Sequence, residues 1–229
     1  NENRASMARS TPLQTWLEPM VALHEALTPA PEQVALAIFG AFHERDETLV
    51  LLGPHEPGFW ANFTASAEYQ DGQPDPLDRW SRRVITCLAA DWDGAPVFPS
   101  DGPPYAPFLD WALETGQAWQ SPVGMLVHAR AGLMVSYRGA VRLQGRLDLP
   151  PPGRNPCRNC ADKPCLTACP VEALNAQMEY DVQRCKTHIT HPEGSTCLTK
   201  GCLVRRARPV SQDYARLPEQ SAFHMRSFL

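Results

Sequence analysis

The segment CRNCADKPCLTACP at 157–170 constrains the fold most, because it places four thiols within fourteen residues. Its spacing, Cys157-x2-Cys160-x4-Cys165-x3-Cys169-Pro170, is close to the bacterial ferredoxin run, with two residues added before the third thiol. A tight irregular loop can supply three thiolates to an iron–sulfur cluster from one side. The proline after the fourth thiol turns the chain away, so Cys169 is placed to reach a different cluster.

Zinc and disulfides are the competing uses of these thiols. A Cys-x2-Cys pair is also a zinc half-site, but zinc calls for a second matched pair and does not explain Cys-Pro followed by the apolar helix start VEAL. A secreted disulfide framework spreads its cysteines along a small chain, whereas here only Cys87 of eight precedes residue 157. We therefore expect iron–sulfur ligation and a reducing cytoplasm.

A second cysteine set lies downstream. Cys185, Cys197 and Cys202 form a complete four-thiolate set with Cys169. The set of Cys157, Cys160 and Cys165 then needs one more ligand, and at GCLVRRARPV the triplet RPV repeats the earlier CPV with Arg208 in place of a thiol. A guanidinium has no acceptor lone pair and does not ligate iron. The first site is therefore predicted to have an open iron, to hold a three-iron cluster, or to be closed by another group.

Several other polar side chains are candidates for the same chemistry. A neutral imidazole from His188 or His191 can replace a thiolate. The alternative is that both are exposed histidines in a polar loop without a ligand role. Tyr137, His128 and His224 are either proton donors or structural residues.

The cysteine-rich part is also basic. It carries nine Lys/Arg and five Asp/Glu between Arg154 and Arg208, a net charge of +4 in a chain of net charge −4. This pattern is typical of a solvated face, and an anionic partner or substrate such as RNA is the alternative.

The rest of the 229-residue chain reads as an α+β body. Apolar periodicity and turn signals predict helices over 11–27, 56–69, 75–91 and 107–115, and buried strands over 34–42 and 48–53. The segment 123–141 is predicted to form two strands joined by a turn at 130–132. In the helix over 75–91, Asp75 is the expected N-cap and Cys87 an expected core residue.

The domain boundaries follow from composition. The Pro-rich segment LPPPGRNP at 149–156 is a predicted hinge between a body over 11–150 and an iron–sulfur module over 151–229. Residues 1–10 are expected to be a disordered tail or an expression remnant. No apolar run approaches the roughly 18 residues of a membrane helix, so no membrane role is expected.

The order of the cysteines resembles that of epoxyqueuosine reductase and of its relatives, the reductive dehalogenases. The Gly-rich segment SPVGMLVHARAGLMVSYRGAV at 121–141 is similar to the strand pair before the cluster module of those proteins. The body over 34–141 resembles the flavin-reductase (nitroreductase)-like fold shared with CblC-type cobalamin-processing proteins. The segments PLDRWSRRV, YRGA, RRARPV and PEQSAFHM are also similar to a smaller group of ferredoxin-like proteins.

This resemblance implies a ferredoxin-like module with two [4Fe-4S] sites that pass electrons from a protein donor to a cobalamin. It also implies cofactor contacts by Tyr137, Gly139 and Arg208. The chain is shorter than an epoxyqueuosine reductase, and the motif Asp-x-His-x-x-Gly is absent. Three functions stay open at this point: a cobalamin-dependent reductase or cobalamin-processing protein, a ferredoxin-like electron carrier, and an iron–sulfur sensor.

Overall fold

A computed structural model describes residue 23 and residues 25–177 and 179–229. The helix predicted over 11–27 lies mostly outside these residues, as does the tail over 1–10. Within the described part, the chain is α+β, with a small antiparallel sheet and several helices. No described helix is long and apolar enough to cross a membrane.

The two predicted buried strands form the hairpin at the centre of the fold. Strands β1 (Leu36–Glu44) and β2 (Glu47–Pro54) pair antiparallel, with a bulge between Ile38 and Gly40. Apolar residues of this hairpin enter two separate core clusters, Leu52 in one and Leu51 in the other. Because both faces of the sheet are covered, the strands are continuous apolar runs rather than alternating ones.

The other strands differ from the predicted hairpin over 123–141. The main sheet has the order β1-β2-β6-β3, completed by β3 (Gly94–Val97) and β6 (Gly139–Gln144). Strand β5 (Leu126–His128) instead pairs with β4 (Ala118–Gln120) in a separate two-stranded sheet. The turn at 130–132 is present, closed by a bridge between His128 and Gly132, but it does not join paired strands. The prediction missed β3 and β4 because each has only three or four residues.

Between residues 30 and 150, all of which the structure describes, the body has four α-helices. The predicted helix over 56–69 is broken into α1 (Gly58–Thr64) and α2 (Ala67–Gln70), and α3 (Pro76–Asp91) and α4 (Phe108–Glu114) lie where they were predicted. Asp75 is the N-cap residue of α3 but makes no side-chain capping hydrogen bond, so its predicted role is only partly correct.

The prediction that Cys87 belongs to the core is wrong, since its side chain is exposed. Helix α3 buries Trp80, Val84 and Leu88, and the buried arc continues to Ile85. At about 100° per residue, Cys87 lies roughly 20° from Trp80 on the side opposite to Ile85. It is therefore just beyond the edge of the buried face.

The cysteine-rich part contains short helices joined by loops. They are α5 (Val182–Ile189), α6 (Ser195–Lys200), α7 (Leu203–Ala207), α8 (Pro209–Asp213) and α9 (Pro218–Phe228). The predicted helix start VEAL after Pro170 is a turn instead. The predicted hinge over 149–156 has no regular secondary structure.

The module packs tightly on the loop that follows β5. A third core cluster combines Val127 and Leu133 from the body with Cys165, Leu174 and Val204 from the module. The buried Ser211 Oγ accepts a hydrogen bond of 2.9 Å from the Leu133 N–H.

Gly132 permits this close approach. Its φ is +56°, and a Cβ added there would lie 2.4 Å from Ser211 Oγ and 2.8 Å from the Ser211 nitrogen. Only glycine suits both the left-handed backbone and the contact with α8.

We predict that Ser211→Ala lowers the free energy of unfolding by about 1–3 kcal/mol, because it leaves the buried Leu133 N–H without an acceptor. Chemical denaturation of anaerobically purified protein measures the change. Ser227→Ala is the matched control, since this exposed serine bonds only to a carbonyl within its own helix. Equal stability of the two variants would contradict the role given to Ser211.

Candidate metal centre

Seven of the eight cysteines fall into two groups in space. The three-cysteine group contains Cys157, Cys160 and Cys165. Cys160 and Cys165 both influence Cys157 electrostatically, and Arg208 is a neighbour of Cys157 and Cys165. The four-cysteine group contains Cys169, Cys185, Cys197 and Cys202, whose side chains line one cavity. Cys87 belongs to neither group, because it lies on α3 in the body.

The three-cysteine group is built on an irregular loop. The Asn155 side chain accepts a hydrogen bond of 2.9 Å from the Cys157 N–H and so holds the start of the loop. Cys165 lies in the 3-10 turn Pro164–Leu166 and is fully buried. Burial raises the pKa of Cys157, as do the neighbouring thiols, while Arg208 opposes the shift.

Arg208 brings a positive charge to this group. It lies between α7 and α8, its side chain is 1% exposed, and its Nη1 is 4.0 Å from Cys165 Sγ. Its Nε is buried without a hydrogen-bond partner, and none of the ion pairs found in the described part of the chain includes it. A buried guanidinium without a carboxylate requires negative charge nearby, which these thiols provide once they are deprotonated.

The four-cysteine group is assembled from separate elements. Cys169 comes from the loop before α5, Cys185 from α5, Cys197 from α6, and Cys202 is the N-cap residue of α7. The rest of the cavity is largely apolar, and His188 also lines it. Cys169 thus lines this cavity together with the three downstream cysteines.

Two polar groups lower the pKa of thiols in this group. They are the Leu203 N–H, which acts on Cys197, and the Tyr180 hydroxyl, which acts on Cys185. Burial is the main cause that raises the pKa of both thiols, and these polar groups act in the opposite direction. Donor groups near sulfur stabilise the thiolate form, which is the form that binds metal.

This environment does not favour a catalytic thiol nucleophile. A reactive cysteine has a lowered pKa, whereas the pKa values of Cys157, Cys185 and Cys197 are raised. All eight cysteines are free thiols.

The thiols are not clustered around one point. Within the described residues, no group of three or more His, Cys, Asp or Glu side chains is arranged so that it could hold a metal ion. A single zinc ion holds its sulfur ligands at about 2.3 Å, so the sulfurs must lie close together. In an iron–sulfur cluster the thiolates bind different iron atoms, so their sulfurs lie farther apart.

The structure does not bring Tyr137 and Gly139 to the cysteine groups. Tyr137 is buried in the body, where burial raises its pKa, and its hydroxyl has no hydrogen-bond partner among the described residues. Gly139 begins β6 and lies against Ile85 of α3. Of the three residues predicted to contact a cofactor, only Arg208 lies beside cysteines.

The candidate histidines lie in different places and have different hydrogen-bond partners. His191 points back to the carbonyl oxygen of Thr187, whereas His188 reaches the cavity of the four-cysteine group. His128 is buried, with Nε2 3.0 Å from the Phe39 carbonyl oxygen, and burial lowers its pKa to about 4. Its ring nitrogens are used to hold backbone, which is a structural role.

A crevice next to the four-cysteine group was missed by the sequence analysis. It measures about 240 Å³ and is lined by Cys185 and Cys202 together with Arg205, Arg216 and His224. We call it the arginine crevice. The arginines come from α7 and from the segment before α9, and no local motif marks them as neighbours.

No family model matches this sequence, and no curated protein or solved structure matches it.

We predict that Cys87 reacts with iodoacetamide at least about tenfold faster than Cys165 or Cys197, because only Cys87 is exposed. Peptide mass spectrometry of briefly alkylated native protein measures the order of labelling, and urea-unfolded protein gives the intrinsic rates. Equal labelling of all three cysteines in the native protein would contradict the burial described above.

Proposed function

We propose that this chain is an iron–sulfur redox protein with two cluster sites of different ligation. The observation that carries the proposal is the division of seven cysteines into the three-cysteine and four-cysteine groups, with Cys169 crossing to the second. This is the division that the cysteine spacing predicts for a ferredoxin-like two-cluster module.

The four-cysteine group has the ligand set of an ordinary [4Fe-4S] cluster. It supplies four thiols and a largely apolar wall, and Tyr180 and the Leu203 N–H favour the thiolate form of two of the sulfurs. When bound, such a cluster supplies one-electron transfer at a potential set by charge and hydrogen bonding. The roles of Tyr180 and the Leu203 N–H are then to tune two of the sulfur ligands.

The three-cysteine group fits a cluster with an irregular fourth position. Arg208 occupies the place of the fourth thiol in the sequence repeat, and its guanidinium lies next to Cys165. It adds positive charge instead of a ligand, which favours the more reduced and more negative state of a neighbouring cluster.

Cobalamin binding at the arginine crevice does not enter this proposal. The arginine crevice measures about 240 Å³, below the roughly 300–1,000 Å³ of pockets for drug-sized ligands, and a corrinoid is larger than such ligands. The residues around the crevice therefore do not fit a corrin ring in this conformation. A cobalamin-dependent reaction stays a prediction of the resemblance, as do the flavin-reductase-like body, the protein electron donor and an anionic partner such as RNA.

Between an electron carrier and a redox enzyme, one observation favours the enzyme. The arginine crevice adjoins Cys185 and Cys202, so a small molecule could approach the four-cysteine group.

We predict that anaerobically reconstituted protein binds iron and sulfide and absorbs broadly in the visible region. Cys197→Ala should lose iron, because it leaves the four-cysteine group with three thiolates and one iron without a thiolate ligand. Cys87→Ala is the control and should retain all of it. Iron and sulfide assays measure the change, and zinc without iron in all three proteins would overturn the proposal.

We also predict that the two clusters differ in stability. Mild oxidation of the native protein should give the electron paramagnetic resonance signal of a three-iron cluster, since Arg208 does not hold a fourth iron. Arg208→Cys should abolish this signal by supplying the missing thiolate. Arg154→Cys is the control, because it adds a thiol at an exposed position outside both groups. A native protein without any three-iron signal would show that another group closes the first site.

A further inference from the structure

We infer that the arginine crevice is a binding site for a small organic anion, a molecule with a carboxylate or phosphate group on an apolar skeleton. The inference deepens the proposed function, because it names the substrate class of a site next to Cys185 and Cys202. The residues that would bind the anion are not themselves cysteines.

The arginines of the crevice are held in place by one loop. Arg205 Nη1 donates to the Leu133 carbonyl oxygen at 2.5 Å, and Arg216 Nη1 donates to the adjacent Met134 carbonyl oxygen at 2.9 Å. Each guanidinium is thereby fixed by one nitrogen and keeps other N–H donors for a ligand. Two guanidinium groups held in this way can donate paired hydrogen bonds to the oxygen atoms of a planar carboxylate or a tetrahedral phosphate.

The positive charge of the crevice is not neutralised by nearby acids. Neither Arg205 nor Arg216 takes part in an ion pair in the described portion of the chain, and Arg216 Nε is buried without a hydrogen-bond partner. The carboxylate that acts on Arg216 is that of Glu56, which is bonded to Gln220 instead. Burial raises the pKa of Glu56, so its own negative charge is disfavoured.

The pKa values of two residues in the crevice reflect its burial and its excess positive charge. Burial lowers the pKa of Arg216 to about 10, and the charge of Arg205 adds to the effect. Burial also lowers the pKa of His224 to about 2, with further contributions from Arg216, Arg138 and Arg205. His224 is therefore a neutral ring, which can give or accept a hydrogen bond without adding charge.

The other residues that line the crevice indicate that the ligand has an apolar skeleton. Met125, Met134, Leu174 and Phe228 are apolar, while Ser136 and Ser221 add hydroxyl groups. Flexible methionine side chains adapt to an apolar ligand of irregular shape. A volume of about 240 Å³ admits a molecule about the size of a substituted ring.

The alternative use of the arginines is to balance the charge of a cluster in the four-cysteine group. In that case they would need no ligand, and removing one would change the reduction potential without affecting any anion. The two uses are distinguished by binding measurements.

The experiment uses benzoate and phenyl phosphate as probes, with benzyl alcohol as the neutral control, in anaerobic calorimetry on the full chain. We expect both anions to bind, benzyl alcohol to bind at least about tenfold more weakly, and added salt to weaken the anions only. Benzoate alone or phenyl phosphate alone as ligand would decide between carboxylate and phosphate and would support the site in either case.

Arg216→Gln should weaken anion binding at least about tenfold, because it removes a charged donor. Arg205→Gln should weaken anion binding to a similar extent, and it replaces Arg216→Gln as the test if that variant does not fold. Arg82→Gln is the matched control, since Arg82 forms an exposed ion pair with Asp101 far along the chain from the crevice. Far-ultraviolet circular dichroism verifies that each variant is folded.

Iron assays on the same samples separate this inference from the proposed function. Anion binding by protein that retains no iron would overturn the proposed function and leave the anion site standing. Iron-replete protein that binds neither anion, or binds both equally in native protein and Arg216→Gln, would overturn the anion site.

Discussion

The packing of the cysteine-rich module on the loop after β5 is the interaction on which the rest of the structure depends. Helices α6, α7 and α8 have six, five and five residues, far fewer than the roughly 12–15 that an isolated helix needs. They are supported by the core around Leu133 and Val204 and by the hydrogen bond from Leu133 to Ser211. The same loop also anchors Arg205 and Arg216, so one contact surface positions thiols and cations together.

Buried positive charge is the physical reason to expect a function at the surface between the module and the loop after β5. Arg208 is almost fully buried next to Cys165, and Arg216 Nε is buried without a hydrogen-bond partner among the described residues. Placing guanidinium groups inside a protein without a carboxylate partner is unfavourable unless other anions compensate them. Thiolate-bound clusters at the cysteine groups and an organic anion in the crevice would provide this compensation, and both proposals have this physical basis.

Local patterns predicted the regular elements well and the pairing of strands poorly. The β1–β2 hairpin and helix α3 follow from long apolar runs and a proline at the first helical turn. The hairpin expected over 123–141 was wrong, because β5 and β6 find different partners in two sheets. Pairing depends on which surface each strand covers, and a short apolar run does not encode its neighbour. The prediction for Cys87 failed for a related reason, since only about 20° around the helix separates it from the buried face.

The sequence by itself determined the local spacing of the thiols and predicted that Cys169 belongs with the downstream set. In the structure Cys169 lines a cavity with Cys185, Cys197 and Cys202, and Arg208 of the repeated motif lies beside Cys165. Only the tertiary structure decided that Arg205 and Arg216 share a crevice with Cys185 and Cys202. These residues meet because α7, the segment before α9 and the loop after β5 converge. That convergence arises from burial of apolar side chains distant in sequence, such as Leu133 and Val204, and leaves no periodic signal around the arginines.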